Sequence, residues 1–290
     1  MNASLPSLST GIVHPTWHRG EIALQKTIGA DARMSEIGKR VVRDHMPDQH
    51  RQFFAQLPFA AFGSVDANGD AWATLLAGEP GFMQTPDAVT LDVATKRNPL
   101  DPADAGMDDD GASIGMLGIE LHTRRCNRMN GVVRRGDGDS FHVAVEQSFG
   151  NCPQYIQLRD FALVRDLRDP AEPSPAQPIV FDALTPRTRA IIERADTFFV
   201  ASYFDREDGH RQVDVSHRGG RAGFGREADN GSFTVPDFAG NSFFNTLGNI
   251  HVNGRAGLLF ADFETSDTLQ LTGAADVLLD SPETAAFQGA

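Results

Sequence analysis

Two stretches carry side chains able to do chemistry together. The first is Ser216-His217-Arg218-Gly219-Gly220-Arg221. A guanidinium such as that of Arg218 grips phosphate through two parallel hydrogen bonds, and glycines beside it let backbone approach a ligand closely. The second stretch holds Asn241, Ser242, Asn245, Thr246 and Asn249. Asn241 or Ser242 is expected to cap a helix, with Phe243, Leu247 and Ile250 on one face and Asn253-Gly254 closing it. A helix start beside a glycine-rich strand end favours negative charge through its free N–H groups and its dipole. The pattern therefore points to an anion site, with phosphate the leading ligand group.

Other candidates are weaker. Ser216 and His217 are adjacent on an expected strand and point to opposite faces, which excludes a serine nucleophile served by that histidine. Cys152 has no histidine close in sequence, and buried thiols are usually inert. Asp108-Asp109-Asp110-Gly111 lacks the alternating ligands of a calcium loop and reads as a solvated turn. Arg124, Arg125 and Arg128 fall on an expected hairpin turn and strand and read as surface, with a contribution of positive field to the pocket as the alternative. No metal site is expected. The formal net charge of -13 excludes general nucleic-acid binding, and any phosphate must find a local basic pocket. Apolar runs are too short to span a bilayer, and no basic segment followed by an apolar one opens the chain. With only Cys126 and Cys152, reduced thiols in a cytoplasm are expected.

The elements that position these residues come in two copies. A shift of 142 positions places Gly78 on Gly220, Gly81-Phe82 on Gly223-Phe224, Val93 on Val235, Gly106 on Gly248, Gly115 on Gly257 and Gly131 on Gly273. Residues 51–64 match 189–202 at a shift of 138, so four extra residues are expected in one hairpin loop, at Asp66–Asp70 and its counterpart Asp205–His210. Each copy reads as an amphipathic helix (34–56 and 186–195) followed by short strands and a 19-residue connection (95–113 and 237–255) to a last hairpin. Many short strands with few helices predict a mainly β (α+β) fold of small barrels. Where the second copy has Ser216, His217 and Arg218, the first has Thr74, Leu75 and Leu76, and an apolar pair cannot hold phosphate. The predicted organisation is an arm over 1–30, a degenerate barrel over 31–168, a proline-rich linker over 169–180, and a ligand-binding barrel over 181–290 that reads as incomplete at its C-terminal end.

The stretches 214–224 and 235–260, with Trp17-His-Arg-Gly-Glu-Ile-Ala-Leu-Gln25 and Gly150-Asn-Cys-Pro-Gln-Tyr-Ile-Gln157, resemble the pyridoxamine 5′-phosphate oxidase-like flavin-binding proteins. The resemblance implies two tandem split β-barrels packed as an intrachain pseudo-dimer around flavin mononucleotide (FMN). It places Ser216, His217 and Arg218 at the phosphate and ribityl, and Asn241, Ser242, Asn245 and Thr246 at the phosphate-side turn and helix. Asn249 is a further neutral donor, and Asn151, Cys152, Gln154 and Tyr155 would face the ring. The chain departs from the family at Asn253-Gly254-Arg255, where Asn-Pro-Arg is common, and the oxidase's substrate-phosphate residues are not recognisable. The implied activity is a flavin-dependent oxidoreduction acting on an unassigned small molecule. The alternative is a flavin or haem module relaying electrons to a reductase partner; a deazaflavin is the third ligand option. A homodimer is compatible with either.

Overall fold

The computed structural model describes residues 16–136, 140–162, 177–228, 231–279, 281, 282 and 287. The fold is mixed α+β and dominated by antiparallel sheet. Most of the linker expected at 169–180 lies outside the described residues.

Three helices open the described chain: α1 (Arg19–Thr27), α2 (Asp31–Val41) and α3 (Asp48–Gln56). The single helix expected over 34–56 is thus two, because Pro47 cannot continue a helix and instead precedes the first turn of α3. A seven-stranded sheet follows, in the order β2-β1-β5-β6-β7-β4-β3, curled into a half-barrel. Its strands are β1 (Phe59–Val65), β2 (Ala71–Ala77), β3 (Met83–Gln84), β4 (Thr90–Val93), β5 (Ser113–Glu120), β6 (Arg125–Arg135) and β7 (Phe141–Gly150), with the short helix α4 (Pro102–Ala105) before β5. Its concave face is filled by Phe62, Met116, Met129, Val133, Phe141 and Val143, with Phe53 and Phe54 of α3.

After α5 (Pro186–Arg194), the strands β8 (Thr197–Asp205), β9 (Arg211–Gly219), β12 (Arg255–Ala261) and β13 (Thr268–Ala274) form a four-stranded sheet in the order β13-β12-β8-β9. This is the order β6-β5-β1-β2 of the first half, so the repeat in sequence is a repeat in topology. The pair β10 (Arg226–Glu227) and β11 (Phe233–Thr234), counterparts of β3 and β4, stands as a separate small sheet, and α6 (Asn245–Asn253) precedes β12. The four extra residues of the second copy are not in the hairpin loop. Five residues separate the strands in both hairpins, and β8 and β9 are each 9 residues long where β1 and β2 are each 7. An insertion of two residues per strand keeps every side chain on its face, since the strand period is two.

The halves pack sheet against sheet through Ala61, Ala73 and Leu117 on one side and Phe199, Ala201, Val213, Val215 and Leu259 on the other. The repeat-matched glycines meet reciprocally here. A Cβ on Gly115 would strike the Val213 carbonyl and Asp214 Cα; one on Gly257 would strike the carbonyl of Ala71 and Cα of Trp72, which are the matched residues of the first copy. Reciprocal contacts of this kind define a two-fold-like interface. The arm expected over 1–30 is a structural helix in its described part. Gly20 of α1 and Gly248 of α6 leave no room for a Cβ between them, so the two helices touch backbone to backbone.

Candidate functional site

The predicted residues fall into two groups along β9. Ser216 lies opposite Val200 and Asp214 opposite Ser202, on the face covered by α6. His217 lies opposite Phe199, on the face toward the first half. The opposite-face expectation for Ser216 and His217 therefore holds.

The first group is a buried polar network centred on a residue of the other half. Arg128 of β6 is 5% exposed. Its Nη1 donates to Asp214 Oδ1 at 2.9 Å and to Asn245 Oδ1 at 2.8 Å, and its Nη2 to Ser216 Oγ at 2.6 Å. Ser216 Oγ reaches Asp214 Oδ2 at 3.0 Å and is hydrogen-bonded to Thr246 Oγ1. Asn245 then donates from Nδ2 to Glu21 Oε1 at 2.5 Å, while the His18 N–H donates to Glu21 Oε2 at 2.8 Å as the start of α1. The buried guanidinium pairs directly with Asp214 and is linked to the second buried carboxyl, that of Glu21, through Asn245. Burial, reinforced by Asp214, pushes Glu21 up to about 8, so it keeps its proton at neutral pH. His18 is pushed down to about 4, chiefly by burial, and its contact with Glu21 is not an ion pair. Asn249 donates to Ser202 Oγ at 3.1 Å and lines a polar cavity of about 20 Å³ with His18, Glu21, Asp214 and Asn245. That is room for one water.

The second group lies at the C-terminal end of β9. Arg218 stands opposite Phe198, inside the second half. Its guanidinium makes one 3.4 Å contact with Asp237 and donates to the His217 carbonyl at 3.3 Å; burial pulls its pKa below the usual value. The side chain is 23% exposed and lines a wide groove with Asp237, Phe244 and Thr246. His217 is pushed down to about 3, mainly by burial, and its Nε2 has no hydrogen-bond partner among the described residues. The segment after β7 comes to this place. Asn241 donates to Asn151 Oδ1 at 3.2 Å, and Tyr155 donates to the Ala239 carbonyl at 3.0 Å with its ring 5.4 Å from that of Phe238. A Cβ on Gly219 would strike the Tyr155 carbonyl, which explains glycine there. Cys152 faces Gln154, Sγ to Oε1 3.4 Å.

Several expectations change. The cap expected from Asn241 or Ser242 does not form. The N-cap is Phe244 at φ 60°, no side chain caps α6, and Asn241 Oδ1 accepts from the Phe243 N–H two residues on. Ser242 also has a positive φ, of 62°, so the backbone takes two left-handed steps just before the helix. Phe243 leaves the face of Leu247 and Ile250 and packs with Trp17 and Phe149. Gly254 closes α6 in the left-handed conformation, as expected. Arg128 is not a surface residue. Its signal was available: within β6 it alternates with the inward Met129, so it must face the seam between the halves. Asp214, Glu21 and His18 were also missed as site residues, although each lies inside a quoted motif.

Among the described residues no group of His, Cys, Asp or Glu could hold a metal ion, and no helix is long and apolar enough to cross a membrane. Comparison with family models, curated proteins and solved structures returned no match.

Proposed function

We propose that the chain is an FMN-binding flavoprotein of the pyridoxamine 5′-phosphate oxidase-like kind, built as two tandem split β-barrels packed as an intrachain pseudo-dimer, with oxidoreduction of an unassigned small molecule as its activity. The observation that carries this reading is Arg218: a half-buried guanidinium whose one ion-pair contact among the described residues is with Asp237 at 3.4 Å, where the 151–155 segment meets the 237–241 turn. Arg218 and the uncapped start of α6 fit a phosphate, whereas His217, with its orphaned Nε2, points to the opposite face of β9 and fits the same phosphate less well. Asn151 and Tyr155 contact the 239–241 turn beside it and, with Gln154, suit the ring or ribityl. Ser216 and Thr246 fit the phosphate less well, since both contact the Asp214 carboxylate, and their role in this reading is to fix α6 against β9. Bound flavin would supply hydride or electron transfer, while the chain orients it and sets its surroundings.

Purified protein is expected to be yellow, or to take up added FMN with quenching of flavin fluorescence. Arg218→Ala should weaken FMN binding by about 2 to 4 kcal/mol, the scale for removing one partner of a buried charged contact. A colourless protein that ignores added FMN overturns the reading, and unchanged affinity in the variant removes Arg218 from the site. Steady turnover of a small substrate by the chain alone would separate an enzyme from an electron relay.

A further inference from the structure

The chain has two cysteines, and the fold brings them together. Cys126 stands near the start of β6, and Cys152 lies two residues past the end of β7, at the open end of the hairpin these strands form. The Asn151 N–H donates to the Cys126 carbonyl at 3.0 Å, which carries the β6–β7 pairing one step further and fixes the backbone next to Cys152. The Cys126 thiol donates to the Cys152 carbonyl at 3.5 Å, so its sulfur already lies beside the main chain of the other cysteine. Both are thiols. Their surroundings differ. Cys126 is 4% exposed in the apolar seam with Ile119, Leu121 and Ile156, and burial pushes it up to about 12. Cys152 is half-buried, outside any strand or helix, with its Sγ turned to Gln154 Oε1 at 3.4 Å.

We propose that Cys126 and Cys152 are a hydroperoxide-responsive dithiol that closes to an intrachain disulfide, with Cys152 as the attacking sulfur and Cys126 as the resolving one. The roles follow from exposure: a hydroperoxide reaches Cys152 from solvent, while Cys126 is shielded and holds its proton. In the first step Cys152 Sγ attacks one oxygen of the hydroperoxide. An S–O bond forms, the O–O bond breaks, and the alcohol (water, from hydrogen peroxide) leaves with the thiol proton. In the second step Cys126 Sγ attacks the resulting sulfenic acid. The S–S bond forms, the S–O bond breaks, and water leaves with the Cys126 proton. The two thiols lose two electrons and the hydroperoxide gains them. The movement required is a rotation of the Cys152 side chain away from Gln154, to bring the sulfurs to about 2.05 Å. Because Cys126 gives up its proton reluctantly, the second step is the slow one, and the sulfenic acid accumulates ahead of the disulfide. The bond ties to β6 the segment whose Asn151 and Tyr155 contact the 239–241 turn. A disulfide of this kind is transient in a reducing compartment. The proposal stands apart from the flavin reading and survives its failure.

The test exposes the native, reduced chain to dilute hydrogen peroxide. The intact mass should fall by two hydrogens with no change in molecular size, peptide mapping should join Cys126 to Cys152, and dithiothreitol should reverse both. The oxidised chain should unfold at a higher urea concentration than the reduced one, because the bond closes the open end of the β6–β7 hairpin and constrains the unfolded chain. Cys126→Ser should stop at a Cys152 sulfenic acid that dimedone traps, whereas Cys152→Ser should leave Cys126 unmodified under the same exposure. The wild-type measurement decides the matter even where a variant fails to fold. Retention of both thiols overturns the proposal, as does a Cys152-to-Cys152 bond between two chains. So does Cys152 driven to sulfinic acid with Cys126 untouched, or dimedone found on Cys126 in place of Cys152.

Discussion

Strands β6 and β13 hold the same place in the two halves and have opposite fates. β6 is flanked by β5 and β7 and is buried along most of its length; among the described residues β13 is flanked by β12 alone, and it is nowhere fully buried. Each sends one matched side chain across the seam. From β6 it is Arg128, which ties Asp214, Ser216 and Asn245 of the other half together. From β13 it is Gln270, whose Nε2 donates to the Ala73 carbonyl and to Asp101 Oδ1, both at 2.9 Å. The chemistry around each has diverged to match: Thr74, the counterpart of Ser216, donates to Asp101 at 2.5 Å, and among the described residues no guanidinium enters that network. One seam position is an ion pair and the other a neutral amide, so the two ends of a near-symmetric interface should respond differently to the same change.

The largest difference is expected from deleting these two side chains. Arg128→Ala leaves Asp214 buried without its cation and should cost about 3 to 5 kcal/mol in urea unfolding. Gln270→Ala removes two hydrogen bonds at a half-buried position and should cost about 1 kcal/mol. A hydrophobic replacement of both partners, Arg128→Met with Asp214→Leu, should recover most of the loss, because the penalty belongs to the stranded charge. Equal costs for the two single variants would mean that the seam treats its ends alike.

A second pair sharpens the contrast between a filled and an open sheet. Met129 and Leu271 are matched by the repeat, yet Met129 is 0% exposed in the core of the first half while Leu271 borders the groove. Met129→Ala should cost about 2 to 5 kcal/mol, since the cavity left behind cannot collapse fully. Leu271→Ala should cost about 1 kcal/mol, because much of that side chain is already in contact with water.

The duplication, the antiparallel sheets and the last hairpin of each half were legible because glycines and alternating apolar residues mark them directly. The meeting of 151–155 with 237–241 was legible only through resemblance; nothing in local pattern places Tyr155 on Ala239. The Arg128 network was illegible for a physical reason. A charged residue four positions from a turn looks solvated, and only the second sheet, laid against the first by Gly115 and Gly257, turns that face into an interior. The cap of α6 was misread because Asn241 meets its own turn before it can reach the helix, a competition that asparagine often resolves locally.

The smallest effect concerns how the network responds to pH, and it separates Glu21 from the buried histidines. The unfolded chain ionises Glu21 near 4.5, while the folded chain holds the proton to about 8. Its stabilisation is therefore complete below about pH 4.5 and is lost as pH rises to 8. His18 and His50, depressed to about 4, and His217, depressed to about 3, act in the opposite sense: their contribution is present above pH 6.5 and is lost as pH falls through those values. The Cys126 thiol, pushed up to about 12, acts only above pH 9. Between pH 6.5 and 8 Glu21 dominates, and stability should fall by about 2 kcal/mol over that window. Glu21→Gln keeps a neutral group facing Asn245 and should flatten the urea-midpoint profile there without changing the fall on the acid side. An unflattened profile would mean that Glu21 is ionised in the folded chain, and that Arg128 faces two carboxylate charges at one end of the seam where the neutral Gln270 meets Asp101 at the other.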